Sequence, residues 1–529
     1  MPELDGKIPI VVGVTGHRLL PEDDLPALRD AVQKELAALK ASCPNSPFEL
    51  LTNLAEGADM LAAEIALDLG FSLKAALPME QAEYEKEFSD AALADFRSLL
   101  SRSDAVFTAP PTEAPAEGRT YLYRQADIYV AEHCHVLLSL WDGTPAVQGG
   151  CGAAETVSFC LSHDYVPARP GVLFSDDGAV IHVFAPRTES ETPAGTTRFL
   201  GNEPLFREIL ADTERFNAAQ CSAEPPASGL TPDREDPVRA RLEASYAKAD
   251  ALSIRNAKTY RRALRWMAAA ATLLTFSFLL YDEATLYVLI LVPGLMILTL
   301  FLISRIAGKL HCHRNYLEYR ILAEVLRVQT YLRYAGSGES LADHLPWPMK
   351  QSTPWVQKAL AALNVGALPE EGRPVLDLWI RAQKDYHEAA RFSAGEQERG
   401  SALVTKVALV VTVIAYFAAL LFELIPGGLL TGRPLFSPAL LEFYRTFLKI
   451  LLGSLSAMTL FIGSYYGKLS LPNAITDHER MASLYRGAEE AFASGAENEA
   501  VLLSLAREEL NENANWFSYK SVNQIDVSL

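Results

Sequence analysis

The sequence predicts an α/β protein with a Rossmann-like parallel sheet at the front. An α-helical membrane region follows, with four transmembrane helices in two hairpins. Three observations predict this. Short apolar runs alternate with helical patterns between Val11 and Phe184. Several of those runs empty into loops that carry glycine and polar residues. Beyond Trp266 come four long apolar stretches.

The first run, Val11 to Arg18 (VVGVTGHR), reads as a buried strand opening into a tight loop. Gly13 and Gly16 remove side chains so that a ligand can approach the backbone, and Thr15 adds a hydroxyl. His17 and Arg18 add donors suited to phosphate. Turn chemistry alone would also account for Gly16. The helical pattern Pro21 to Lys40 follows, so the loop sits at a strand's carboxyl end, where open α/β sheets bind ligands. Phe48 to Leu54 is a second strand. It ends in Ala55-Glu56-Gly57-Ala58-Asp59 before the helix Met60 to Leu69. Glu56 and Asp59 are placed to cap that helix or to accept ribose hydroxyls. Phe71 to Leu77 is a third strand, Gln81 to Ser101 one charged amphipathic helix, and Ala105 to Ala109 a fourth strand. The helix Tyr121 to Cys134 carries Arg124 and Asp127 near the ligand edge. His135 to Trp141 is a fifth strand ending in Asp142-Gly143. Gly149-Gly150-Cys151-Gly152 opens the helix Ala153 to Leu161, and Val180 to Phe184 is the last strand. From Arg187 to Asp236 the chain loosens into a linker with a helical island at Glu203 to Asn217.

The totals exclude some classes. A net charge of −18 argues against nucleic acid as a partner, because phosphate backbones need clustered Lys and Arg. The six cysteines lack paired metal-ligand spacing, so free thiols in a reducing compartment and no metal are expected. His311-Cys312-His313 places neighbours on different helix faces, which does not suit a metal. Met1 to Lys7 is polar, so no secretory leader is expected.

The four apolar stretches are Trp266 to Leu280, Thr285 to Ser304, Val407 to Ile425 and Phe447 to Tyr466. A spanning helix needs roughly 20 such residues, and Ala263 and Leu264 could extend the first. The competing reading, buried core helices, would require them to be apolar all round. Arg261, Arg262, Arg265, Arg305, Lys309, Arg399, Lys406 and Lys468 flank the ends expected in the cytoplasm, with both termini on that side. Arg433, Arg445 and Lys449 run against the rule. Pro293-Gly294 reads as a bend in mid-span, and Gly463 to Gly467 as a GxxxG step for close helix contact. Twice, a charged helix enters a hairpin and a Tyr- and Arg-bearing helix leaves it. The implied domains are 1–187, a linker 188–240, and hairpin modules 241–345 and 346–529.

GVTGHR, LAEGAD and GGCGAAE (Gly149 to Glu155) resemble the SLOG superfamily, which includes the LOG phosphoribohydrolases, DprA and the nucleotide-sensing region of melastatin-type channels. Gly149, Gly150 and Gly152 match the glycines of the LOG motif PGGxGTxxE. Gln148 replaces its proline and Ala153 its threonine, and Thr156 stands where the glutamate belongs, with Glu155 one residue early. The repeated hairpin layout resembles tandem SLATT domains, membrane modules of bacterial defence systems. The resemblance implies a nucleotide-derived ligand and no other cofactor. The expected ligand set is Gly13, Thr15, Gly16, His17, Arg18, Glu56, Gly57, Asp59, Arg124, Asp142, Gly143, Gly149, Gly150, Gly152 and Glu155. It further implies a multi-pass, homo-oligomeric effector in the bacterial inner membrane. Two alternatives stay open. One is a tethered N-glycosidase using Glu155 and Arg124, and the other is a scaffold with a vestigial pocket.

Overall fold

The structure is a computed structural model that describes residues 5–113, 116, 118–145, 151–163, 178–187, 190–221, 229–232, 236–283, 287–368, 371–430, 432–495 and 499–522. Gly149 and Gly150 lie outside these. The chain divides into two compact units. The first comprises Met1–Ala251, Arg320–Val375 and Leu502–Ala514; the second comprises Leu252–Tyr319, Leu376–Val501 and Asn515–Leu529.

In the first unit, seven strands form one sheet: β1 (Ile10–Gly16), β2 (Phe48–Thr52), β3 (Ser72–Leu77), β4 (Ala105–Thr108), β5 (Val136–Trp141), β6 (Ala179–Phe184) and β7 (Thr197–Gly201). Their order is β4-β3-β2-β1-β5-β6-β7, and all pair in parallel except β7, which runs antiparallel to β6. Helices cover both faces. Val12 and Val14 face the core shared with α1 (Leu25–Ser42) and α2 (Ala58–Asp68). On the other face, Val11 and Leu137 pack with α5 (Arg119–His133) and α6 (Ala153–Ser162). Burial on both faces is why β1 reads as an unbroken apolar run rather than an alternating one. Chain order reverses between β1 and β5, so their carboxyl ends flank the crevice where such sheets take ligands.

Three sequence expectations need correction in this unit. The single helix Gln81 to Ser101 is broken into α3 (Gln81–Tyr84), a 3-10 turn (Glu85–Glu87) and α4 (Asp90–Ser101). Ser89 stops the first part and starts the second, because its hydroxyl accepts the Ala92 N–H at 3.3 Å. The expected linker supplies a strand, β7, beside the helix expected at Glu203 to Asn217, which is α7 (Glu203–Ala218). Phe206 and Leu210 of α7 enter the core. Asn217 takes the Ile8 N–H at 2.9 Å and donates to the Ile8 carbonyl at 2.8 Å, which fastens α7 beside β1.

The helices that follow are α8 (Pro237–Glu283), α9 (Leu291–Lys309) and α10 (Cys312–Tyr334), then α11 (Leu341–His344), α12 (Trp347–Ser352) and α13 (Pro354–Leu363). Residues 346–363, expected in the second hairpin module, pack on the sheet instead. Ala362 and Val365 join the α5–α6 core. Arg241 donates to the carbonyls of Leu363 and Val365 at 2.9 and 2.8 Å, and the Gly366 N–H donates to Tyr129 Oη at 3.0 Å.

The second unit is helical. After a short π-helical turn (Leu376–Arg381) come α14 (Ala382–Leu424), α15 (Pro438–Leu469) and α16 (Leu471–Ala493); the last helix, α17 (Glu499–Val522), belongs to the first unit over Leu502–Ala514. Among the described residues, three stretches are long and apolar enough to cross a membrane: Pro237–Asp282, Leu376–Leu424 and Pro438–Ala493. Their apolar side chains point outward, with Phe417 60% and Leu460 69% exposed, which suits lipid rather than water. The expected second span appears as a shorter apolar helix, Leu291–Ile306. Pro293 lies in the first turn of α9 rather than in mid-span; the first helical turn needs no N–H there, so the proline starts the helix and does not bend it. Glu423 and Arg445, two charges near the α14–α15 connection, pair through two contacts of 2.6 Å.

Candidate functional site

A cleft of about 830 Å³ opens at the carboxyl ends of β1, β2 and β5. Its wall begins with the loop after β1. The His17 N–H donates to the Leu140 carbonyl at 2.9 Å, and the His17 carbonyl accepts the Ala58 N–H at 3.1 Å. That double tie draws the loop between β5 and the start of α2. It works only with glycines. A Cβ on Gly16 would come within 2.4 Å of Ala58 Cβ, and one on Gly57 within 2.3 Å of the Arg18 carbonyl oxygen. Gly57 also sits at φ +86°, where a side chain is strained in any case.

Of the expected ligand residues, Thr15, Gly16, His17, Arg18, Asp59 and Gly152 line this cleft together. Others fall elsewhere. Gly13 serves packing: a Cβ there would lie 2.9 Å from Val130 Cγ1, so its absence lets α5 rest on β1. Gly57 shapes the loop from behind. Glu56, Gly143 and Glu155 are not in the cleft wall. Arg124 is not there either, because Glu113 holds its guanidinium at 3.0 Å through both Nε and Nη2, over the Phe159 ring.

His17 is the hub of one side. Its Nε2 accepts the Asp142 N–H at 3.1 Å, and an Arg187 Nη2 lies 2.9 Å from Nδ1. Burial and the Arg187 charge lower the His17 pKa, so the ring stays neutral at neutral pH. Asp142 closes the group, 3.6 Å from Arg187 Nε, with its Oδ1 taking the Thr144 N–H at 2.9 Å. Asp142 therefore acts behind His17 and Arg187 and leaves the cleft to them.

Cations line the rim. Arg18, half exposed, stands over the Tyr123 ring at 5.0 Å and 3.6 Å from Glu87. Arg119 also pairs with Glu87. One carboxylate thus holds two rim guanidinium groups at a spacing that a phosphate could take over.

The floor is acidic and was only half visible in the sequence. Asp59 and Asp127 are 4% and 8% exposed, and both line the cleft. Asp59 Oδ2 accepts from Thr52 Oγ1 at 2.9 Å, and Asp127 Oδ1 accepts from Asn53 Nδ2 at 2.9 Å. Burial raises the pKa of Asp59 to about 6. Burial, then the Asp59 charge, raise Asp127 to about 7, against the pull of the Gly152 N–H and the Thr156 hydroxyl. Two carboxyls on one floor that titrate near neutrality are a frequent mark of a working site.

Tyr84, Arg119, Tyr123, Asp127 and Arg187 are lining residues absent from the expected set. Asp127 and Arg187 stood at positions where the sequence showed a helix near the ligand edge and a strand's carboxyl end. The others had no signal of their own. Among the described residues, no group of three His, Cys, Asp or Glu is placed to hold a metal ion. No family model matches the chain, and no curated protein matches it in sequence.

Proposed function

We propose that the cleft binds a nucleotide-derived anion, of the ADP-ribose or cyclic-nucleotide class, and that the bound ligand gates the apolar helices of a membrane effector. The carrying observation is a topological-switch cleft that combines three rim cations with two buried carboxyls. In this reading Arg18, Arg119 and Arg187 take phosphates, and Asp59 and Asp127 take ribose hydroxyls, as donors when protonated and as acceptors when not. The SLOG and SLATT resemblances support it. The four apolar segments then form two hairpins in a bacterial inner membrane, and homo-oligomers of the chain open a pore that arrests phage growth. α8 carries residues of both units. A nearly complete switch requires the ligand to favour one state by about 5.5 kcal/mol.

Calorimetry on the full chain in nanodiscs, across a panel of AMP, NAD, ADP-ribose and cyclic nucleotides, tests the reading. One class should bind, and Arg18→Ala and Arg187→Ala should each weaken it about tenfold, the ordinary worth of a charge-assisted hydrogen bond. Glu87→Gln should tighten binding by freeing Arg18 and Arg119. A flat response across the panel rejects the proposal.

The Asp59–Asp127 pair favours one second reading, a membrane-tethered N-glycosidase. A protonated Asp127 would assist departure of the base, and an ionised Asp59 would stabilise the cationic sugar. This differs from the Glu155–Arg124 assignment, whose arginine is held by Glu113. Base release from NAD or AMP that Asp127→Asn abolishes would select this reading over sensing.

A further inference from the structure

The part of α8 that leads into its apolar segment stands apart from the rest of this acidic chain. Between Asp250 and Asp282 there is no acid, while Arg255, Lys258, Arg261, Arg262 and Arg265 crowd one short stretch. Lys520 adds to them: burial and the Arg261 charge push its ammonium down to about 8, as expected where positive charge is in excess. Trp266 follows at once and is 69% exposed, the position of an interfacial aromatic.

Beside this cluster, a groove of about 510 Å³ runs between α8 and α15. Its walls include Arg265, Ala268 and Thr272 from one helix and Phe461, Tyr465 and Tyr466 from the other. The helices meet at Gly453, where a Cβ would lie 2.6 Å from Leu279 Cδ1. From that contact the walls continue in opposite chain directions, which brings the two tyrosines level with Arg265. Arg265 Nε reaches the Arg261 carbonyl at 3.4 Å, and among the described residues no carboxylate pairs with it. The groove is thus apolar along its length, with an unneutralised guanidinium and two phenols at one end.

We infer that this groove holds one anionic phospholipid, its acyl chain along Ala268, Thr272 and Phe461 and its headgroup phosphate at Arg265. The inference rests on α8 and α15 lying in a bilayer, and is independent of what the sheet cleft binds. Charge chooses the occupant. A second copy seated here symmetrically would bring its own run of arginines against the first, whereas an anionic headgroup neutralises them. Phosphatidylcholine would fill the groove but leave the cluster uncompensated.

Trp266 provides the readout. Full-length protein is reconstituted in phosphatidylcholine vesicles doped with either brominated phosphatidylglycerol or brominated phosphatidylcholine, and quenching of its tryptophan fluorescence is titrated. Quenching should favour phosphatidylglycerol about fivefold, the preference that one juxtamembrane cation supplies. Arg265→Gln should abolish that preference, and Arg261→Gln with Arg262→Gln should retain most of it. Ala268→Phe, which fills the groove, should weaken quenching by both lipids. Equal quenching by the two lipids in the natural protein overturns the inference, as does a preference that survives Arg265→Gln. Protein that partitions into vesicles without headgroup preference sinks the lipid site alone; protein that does not partition sinks the membrane reading with it.

Discussion

Glycine separates the two halves of this molecule. In the sheet unit, Gly13, Gly16 and Gly57 are hemmed in, with a neighbouring atom within 3 Å of where a Cβ would stand. In the apolar helices, Gly294, Gly308, Gly463 and Gly467 face open space, with nothing within 4 Å. Gly453 alone among the described span glycines meets a neighbour, Leu279. In the first half the missing side chain is demanded by the chain's own fold. In the second it leaves a surface whose partner must come from outside the fold, either lipid or another copy.

The largest effect should come from breaking the first half of that contrast. Gly57→Ala puts a methyl group against two backbone carbonyls at a φ of +86°. Backbone oxygens cannot rotate away, so the loop after β1 or the start of α2 must move. We expect a loss of about 3 kcal/mol or more, read as a lower thermal midpoint of the sheet unit, together with loss of ligand binding. A midpoint unchanged from the natural protein would mean that the His17–Gly57 approach is not as close as described.

The same contrast explains what the sequence made legible. Glycine next to a strand end pointed to the crevice, although turn chemistry asks for the same residue, and Thr15, Gly16, His17, Arg18, Asp59 and Gly152 do meet in one cleft. The residue-level role of Gly13 was not legible, since ligand access and helix packing demand the same absence. Arg124 was drawn to the site by its place on α5, three residues from Asp127. Glu113, across a loop whose path the sequence does not reveal, claimed it. β7 carries a weak pattern, Thr-Arg-Phe-Leu-Gly, and becomes a strand because β6 offers it an edge. Asp59 and Asp127 lie 68 positions apart in the chain, so their convergence belongs to the fold alone. The apolar stretches were legible because length and composition alone mark a helix fit to cross a membrane; their number and pairing need contacts that composition does not encode.

The second effect concerns the acidic floor. Asp127 has an ordinary pKa near 3.8 and a folded value of about 7. The folded protein therefore holds a proton that the unfolded chain releases, and the associated stability is complete below about pH 4 and lost as pH rises through 7. Asp127→Asn keeps the shape and removes the titration. Above pH 8 we expect the variant to be more stable than the natural protein, with the difference shrinking toward zero near pH 4. Hydrogen exchange of the α5 and β1 amides in the full chain measures it locally. A difference independent of pH would show that the carboxyl is not held protonated, and would remove the general-acid reading with it.

The smallest effect tests the second half of the contrast. Gly463 sits inside α15 with open space where its side chain would be. A helix-interior glycine normally costs roughly 0.5–1 kcal/mol relative to alanine, so Gly463→Ala should leave the monomer unchanged or slightly stabilised. Its value lies in the readout beyond stability. If lipid alone faces this helix, cross-linking between copies in vesicles should be the same for both proteins. If another copy packs against the Gly463–Gly467 step, one methyl group spaces the helices apart and dimer yield should fall severalfold while the thermal midpoint of the sheet unit does not move. The two outcomes assign the open glycines to lipid or to assembly, and either one keeps the hemmed glycines of the sheet as a separate class, because no partner outside the fold can relieve a carbonyl 2.3 Å away.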